Sequence, residues 1–219
     1  MPVDYNAARH NMVESQLRTN KVTDHRLLDA FEELPREAFV PADLRGVAYV
    51  DEDIALAPER YLMEPMVLAR LLQAAAVDPG DMVLEIGCGT GYAAALLARM
   101  AATVVALESD AALVQAANDT LSRLEIDNVV VVTGDLAEGY PKQAPYNVIL
   151  ISGAVTAVPD RICDQLADGG RLITVLRDGP GLGRAVLMHK SAGHVSRRYL
   201  FDAATPYLPG FVHDAGFVF

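Results

Sequence analysis

The sequence predicts an α/β fold: a doubly wound, mostly parallel, seven-stranded Rossmann-like sheet with a helical extension at the N-terminus. Three observations carry that reading. From residue 82 onward, short apolar runs rich in β-branched residues alternate with helical stretches, the rhythm of parallel strands joined by crossover helices. At 83–92 the run Val-Leu-Glu-Ile-Gly-Cys-Gly-Thr-Gly-Tyr takes a strand into a glycine-rich turn and out into an Ala- and Leu-rich helix. Ahead of residue 65 the apolar positions recur at helical spacing.

Residues 6–34 look helical. Within 22–34, Leu27, Leu28, Phe31 and Leu34 share one face, Thr23 or Asp24 serves as the cap, and Pro35 ends the helix. Pro41, Gly46 and the acids Asp51, Glu52 and Asp53 make the next stretch irregular. A helix opens at Pro65 and runs over 65–76. After the turn Asp78-Pro79-Gly80-Asp81, strands are expected at 82–86, 103–107, 128–133, 146–152 and 171–176. Helices fall at 92–100, 110–123 and 159–166. The runs 184–190 and 194–201, joined by Ser191-Ala192-Gly193, read as a hairpin that completes seven strands. Tyr207, Phe211, Phe217 and Phe219 in the last segment are expected to cover core.

A glycine turn between strand and helix lets backbone approach a ligand with no Cβ in the way. Here Gly87, Gly89 and Gly91 alternate, with Cys88 inside the loop, where a small residue suffices. The spacing departs from the Gly-x-Gly-x-x-Gly of dinucleotide sites. Glu85, just ahead of the loop, repels a pyrophosphate and welcomes an ammonium or sulfonium group. Acids also close the next two strands. Glu108 is either an acceptor for ribose hydroxyls or a solvated acid ahead of a helix. Asp135, in Gly134-Asp135-Leu136, either accepts from an adenine amino group or simply makes a turn. S-adenosylmethionine carries both cations on a nucleoside, and the three acids together point to it as cofactor.

Composition narrows the classes. The chain has 219 residues, 52% of them hydrophobic, enough for a sizeable core. A formal charge of −11 argues against nucleic acid and anionic membrane surfaces as partners, since phosphate binding needs clustered Lys and Arg. The apolar stretch 93–107 is broken by Arg99 and splits into a helix and a strand, so no membrane span is expected. Acids at Asp4 and Glu14 speak against a signal peptide, which leaves a cytoplasmic location as the expectation. Cys88 and Cys163 lie far apart, and His10, His25, His189, His194 and His213 show no ligand spacing, so neither a disulfide nor a metal site is expected.

The core motifs resemble those of class I S-adenosylmethionine-dependent methyltransferases. The flanks resemble more specifically the protein-L-isoaspartate O-methyltransferase family. Met12-Val-x-x-Gln16-Leu and Leu28-x-Ala-Phe-x-x-Leu-Pro-Arg-Glu-x-Phe-Val-Pro41 are similar to its N-terminal segment. So are Ala48-Tyr49, the strand at 146–149, and Gln165-Leu-x-x-Gly-Gly-Arg-Leu172. The resemblance implies a cofactor set of Glu85, Gly87, Cys88, Gly89, Gly91, Glu108, Asp135 and Leu136, the last standing where the family often has glycine. It implies a repair enzyme that esterifies the free carboxylate of L-isoaspartyl residues in damaged proteins. A division follows into 1–64, the extension with a substrate strip, and 65–219, the cofactor-binding core with hairpin and tail.

One segment departs from the family. A Gly-x-x-x-Thr-Ile-Ser-x-Pro-like strip handles the substrate carboxylate there. Anchored on Pro65, this chain reads Glu59-Arg60-Tyr61-Leu62-Met63-Glu64. Tyr61 replaces the threonine and Met63 the serine, and a thioether donates no hydrogen bond. Glu59 and Glu64 either add like charge near an anionic acceptor or point to solvent. Tyr61, Met63, Glu64 and Ser152 are therefore the substrate-side candidates, although Ser152 equally fits a strand-end serine satisfying backbone. A carboxylate acceptor is already ionised at neutral pH and needs no general base. Three readings stay open: an isoaspartyl carboxyl methyltransferase, a relative acting on another peptide or small-molecule acceptor, and a silent cofactor-binding protein. Oligomeric state is not legible.

Overall fold

The computed structural model describes residues 3–179 and 181–211, so His213, Phe217 and Phe219 lie outside the described residues. The extension is not one long helix. Helix α1 (Tyr5–Met12) starts at Asp4, whose carboxylate accepts from the Ala7 amide, and tightens and loosens through irregular turns to Lys21 at φ 66°. Asp24, one of the two expected caps, then starts α2 (His25–Glu33) by accepting from the Arg26 and Leu27 amides. Leu34 turns extended ahead of Pro35.

Strands β1 (Ile54–Ala57) and β2 (Arg60–Leu62) form a small antiparallel hairpin that, among the described residues, pairs only with itself. It follows the stretch read as irregular up to Asp53 and gives two strands to residues for which no element was expected. Helix α3 (Pro65–Ala75) follows. Its first amides are capped from a distance: Asp53 accepts from Glu64 N at 2.9 Å and Asp51 from Met66 N at 3.0 Å.

The remaining elements are β3 (Met82–Ile86), α4 (Tyr92–Ala98), β4 (Thr103–Glu108), α5 (Ala111–Arg123) and β5 (Val129–Thr133). Then come β6 (Tyr146–Val155), α6 (Asp160–Cys163), β7 (Leu166–Leu176), β8 (Gly183–Ser191) and β9 (His194–Ala203). The order across the sheet is β5-β4-β3-β6-β7-β8-β9, parallel through β7 and antiparallel for the last two. The helix after Pro159 stops at Cys163 because β7 already begins at Leu166, shorter than the sequence pattern suggests.

Strand order turns around at β3, which lies between β4 and β6. In open α/β sheets the crevice outside the carboxyl ends of the strands at such a switch point is where ligands bind. The extension packs against the face of the sheet that carries α3 and α4. Phe31 and Phe39 meet the Tyr92 ring edge-on at 6.1 and 5.3 Å. Arg36, fully buried, stacks over the same ring at 4.9 Å and donates to Ala48 O at 2.7 Å and Met63 O at 2.8 Å. Residues on both sides of position 64 thus share one continuous apolar core.

Candidate active site

The turn after β3 is pinned to the neighbouring strand. Gly87 N and Cys88 N both donate to Leu107 O, at 2.8 and 3.1 Å. Gly87, Gly89 and Gly91 adopt φ of 82, 56 and 92°, the left-handed region that favours glycine. Cys88 is buried, and burial, with the charges of Glu85 and Glu108 adding, pushes its thiol well above the usual range.

Two of the three strand-end acids come together at the switch point. Glu85 lies on β3 opposite Ala106 and Leu150, and Glu108 closes β4; they are 1% and 0% exposed. Ser152, on β6, donates to Glu85 Oε1 at 2.7 Å, so its hydroxyl serves the carboxylate rather than the backbone. The other oxygen, Glu85 Oε2, is buried and finds no hydrogen-bond partner among the described residues. Burial pushes the Glu85 carboxyl up to about 7; Glu108 adds to the push, while Ser152, Arg60 and the nearby Ala94 amide oppose it.

Glu108 is saturated instead. Oε2 accepts from Gly89 N at 2.8 Å and from Arg60 Nη2 at 2.6 Å. Oε1 accepts from Ser109 N at 2.7 Å, from Asp110 N at 3.0 Å and from Arg60 Nη1. The guanidinium grips the carboxylate through both nitrogens, and Arg60 itself is only 5% exposed.

The third acid stands apart. Asp135 is exposed and accepts from Ala137 N at 2.8 Å, capping a short turn over Leu136–Glu138. Its carboxylate does what the turn reading expected, and Leu136 is buried beneath it. On the strip, Tyr61 is 41% exposed, Met63 is buried, and both line small cavities shared with Ser152. Glu64 is half-buried beside Asp51, Glu52 and Asp53; burial first, then those charges, raises its carboxyl to about 7. Glu59 is exposed, as the solvent reading has it.

Two functional features escaped the sequence reading: Arg60 and the burial of Arg36. Apolar residues at Ile54 and Leu56 before Pro58, and at Tyr61 and Leu62 after it, were the available trace of the hairpin.

A glycine turn at a sheet switch point, flanked by buried acids on β3 and β4 and finished by an antiparallel pair, defines a class I S-adenosylmethionine-dependent methyltransferase fold. The family model of Protein-L-isoaspartate(D-aspartate) O-methyltransferase (PCMT) matches residues 7–209, and the chain belongs to that family. It is 40% identical over 194 residues to a protein-L-isoaspartate O-methyltransferase of Koribacter versatilis, covering 89% of this chain and 87% of that one. It is 42% identical over 181 residues to that of Methylorubrum populi, covering 83% and 84%. A solved protein-L-isoaspartate O-methyltransferase superposes with a TM-score of 0.80 at 29% identity, covering 92% of this chain and 66% of that one. A beta-aspartate methyltransferase from Plasmodium falciparum in complex with S-adenosyl-L-homocysteine superposes at 0.79 with 18% identity, over 94% and 99% of the two chains, a likeness of fold.

The donor set fits the cofactor of this class. A buried carboxylate with a free oxygen stands beside a cradle that a Cβ would fill. The space above the cradle is taken by the chain itself. A Cβ on Gly87 would lie 2.7 Å from Leu208 Cδ1, and one on Gly89 would lie 2.8 Å from Leu56 Cδ1. What remains near Glu85 and Ser152 is two cavities of about 10 Å³ each. That is about one water, against the ~300 Å³ or more of a typical small-molecule pocket.

Proposed function

We propose that this protein is a cytoplasmic S-adenosylmethionine-dependent carboxyl O-methyltransferase acting on L-isoaspartyl residues of proteins and peptides. The observation that carries the reading is the pairing of Glu85 and Glu108 at the ends of β3 and β4 around the glycine turn. Bound there, the cofactor supplies an electrophilic sulfonium methyl for in-line displacement. Glu85 would face its cationic methionine end, Glu108 its ribose, and Gly87, Gly89 and Gly91 would let the backbone approach. Asp135 and Leu136 would border the adenine, with the Asp135 oxygen not used in the cap on Ala137 left to accept from its amino group.

The chain's own work is positioning and exclusion of water, which can supply about 7–11 kcal/mol of barrier reduction. Ser152 orients Glu85 and lies where β6 meets the strip, with Tyr61 and Met63 beside it. The acceptor carboxylate arrives ionised, so no protein base is required.

A second reading, a different acceptor, draws on the strip. Met63 is buried with its backbone carbonyl held by Arg36, and offers a thioether where a hydroxyl donor would hold a carboxylate. Incubation with labelled S-adenosylmethionine and an isoaspartyl peptide tests both. Base-labile methyl on the peptide is the expected result. Labelling of other material alone would replace the first reading by the second. Met63→Ser is expected to raise isoaspartyl methylation, and an unchanged rate would remove Met63 from the acceptor side.

A further inference from the structure

The three side chains that cover the glycine cradle differ in how they are held. Leu208 belongs to a segment fixed on β6: Ala154 N donates to Pro206 O and Leu208 N to Ala154 O, both at 2.8 Å. Leu56 and Arg60 belong to the β1–β2 hairpin, which among the described residues has no ladder to the main sheet. An isolated two-stranded hairpin is marginal on its own, so side chains must hold this one in place. The polar contact that does so is the fork of Arg60 on Glu108.

That contact uses what a nucleoside would need. An ionised carboxylate offers about four acceptor sites. Gly89, Ser109 and Asp110 amides take up three of those on Glu108, and the two Arg60 nitrogens share what is left. A ribose diol finds no acceptor there while Arg60 is in place. Meanwhile Glu85 keeps one unpartnered oxygen, so the half of the site that faces a cation stays unsatisfied behind the closed hairpin.

We propose that Arg60 is an intramolecular competitor for the cofactor: its guanidinium holds the β1–β2 hairpin down on Glu108, and S-adenosylmethionine enters only when the hairpin lifts and that pair breaks. The proposal rests on the cofactor reading above. It makes residue 60 the determinant of cofactor affinity in this chain, because affinity is reduced by the fraction of molecules that are closed. Leu56 is a weaker contributor, since it occupies volume over Gly89 but no acceptor.

The test is calorimetric titration of S-adenosyl-L-homocysteine into the full chain, its Arg60→Met variant and its Leu56→Ala variant. Methionine keeps an unbranched apolar stem and removes the charge. Arg60→Met is expected to lower Kd at least tenfold, and Leu56→Ala by a factor of about two to five. Equal affinity for parent and Arg60→Met, or weaker binding by the variant, would overturn the competitor role while leaving the cofactor reading intact. No binding by any of the three would overturn both. Hydrogen exchange on the unmutated chain gives an answer independent of any variant's folding. Amides of 54–62 are expected to exchange faster with S-adenosyl-L-homocysteine than without it, the reverse of ordinary ligand protection, and slower exchange would count against displacement.

Discussion

The carboxyl edge of the sheet and the hairpin resting on it are built on opposite principles. Strands β3, β4 and β6 each exchange main-chain bonds with two neighbours, and their side chains at Val83, Leu84, Ala106, Leu107 and Leu150 are fully buried. The hairpin pairs across three positions with itself and meets the sheet through Leu56, Arg60 and the buried ends Ile54 and Leu62. A framework of ladders opens only with the whole fold, whereas a flap held by side chains opens at lower cost. The cofactor's acids stand on the first and their cover on the second. Stability and ligand access are therefore separable, and substitutions can pull them apart.

The largest effect is expected on the framework side. Tyr92 is fully buried between Phe31, Phe39 and Arg36, where the extension meets α4. Tyr92→Ala is expected to cost about 3–5 kcal/mol in urea unfolding, the range for large aromatic truncations in a core. A loss below about 1 kcal/mol would mean that the extension is not part of the cooperative unit.

Next in size is a pH effect at the acid the hairpin covers. The Glu85 carboxyl has an ordinary value of 4.5 and stands at about 7 in the fold. Between those values the native state keeps a proton that the unfolded chain releases. Stability therefore falls as pH rises from 4.5 toward 7 and stays lowered above it. The full gap corresponds to a penalty on the order of 3 kcal/mol. Glu85→Gln removes it without losing an acceptor for Ser152. The variant should unfold at a higher temperature than its parent at pH 8, with the advantage gone by pH 4. A constant offset across that range would place the cause in packing rather than ionisation.

The same contrast explains what was legible beforehand. The sheet declares itself locally: β-branched runs, a glycine turn and strand-end acids each sit within a few residues of one another, so Glu85 and Glu108 could be picked out before any coordinates. The hairpin does not. Its turn places Glu59 at φ 59°, a position where Gly or Asn would have announced a turn. Its key contact joins residues 48 apart in the chain, and nothing in a lone arginine beside a tyrosine specifies a buried acid as partner. Arg36 was hidden likewise, since its burial depends on carbonyls at Ala48 and Met63 that only tertiary structure brings near. Strand β6 runs on to Val155 because Ala154 and Val155 pair with Val175 and Leu176 of β7 beyond a register shift, a contact no local pattern encodes. Asp135 shows the converse: the local turn chemistry of Gly134-Asp135 was legible, and in the fold the carboxylate serves that turn.

The smallest expected effect separates the two regions most cleanly. Glu59 follows Pro58 in the hairpin turn with a left-handed backbone that costs a residue with a Cβ about 1 kcal/mol or more. Glu59→Gly removes that strain, while the freer unfolded chain offsets part of the gain. If the hairpin opens on its own, the substitution stabilises only the closed flap. Amide exchange across 54–62 should then slow by a factor of about two to five and still run faster than exchange across β3 and β4, which needs the whole fold to open. Exchange across 54–62 as slow as that across β3 and β4 would mean that hairpin and sheet unfold as one body, and Arg60 would then be part of the framework rather than a fastening on it.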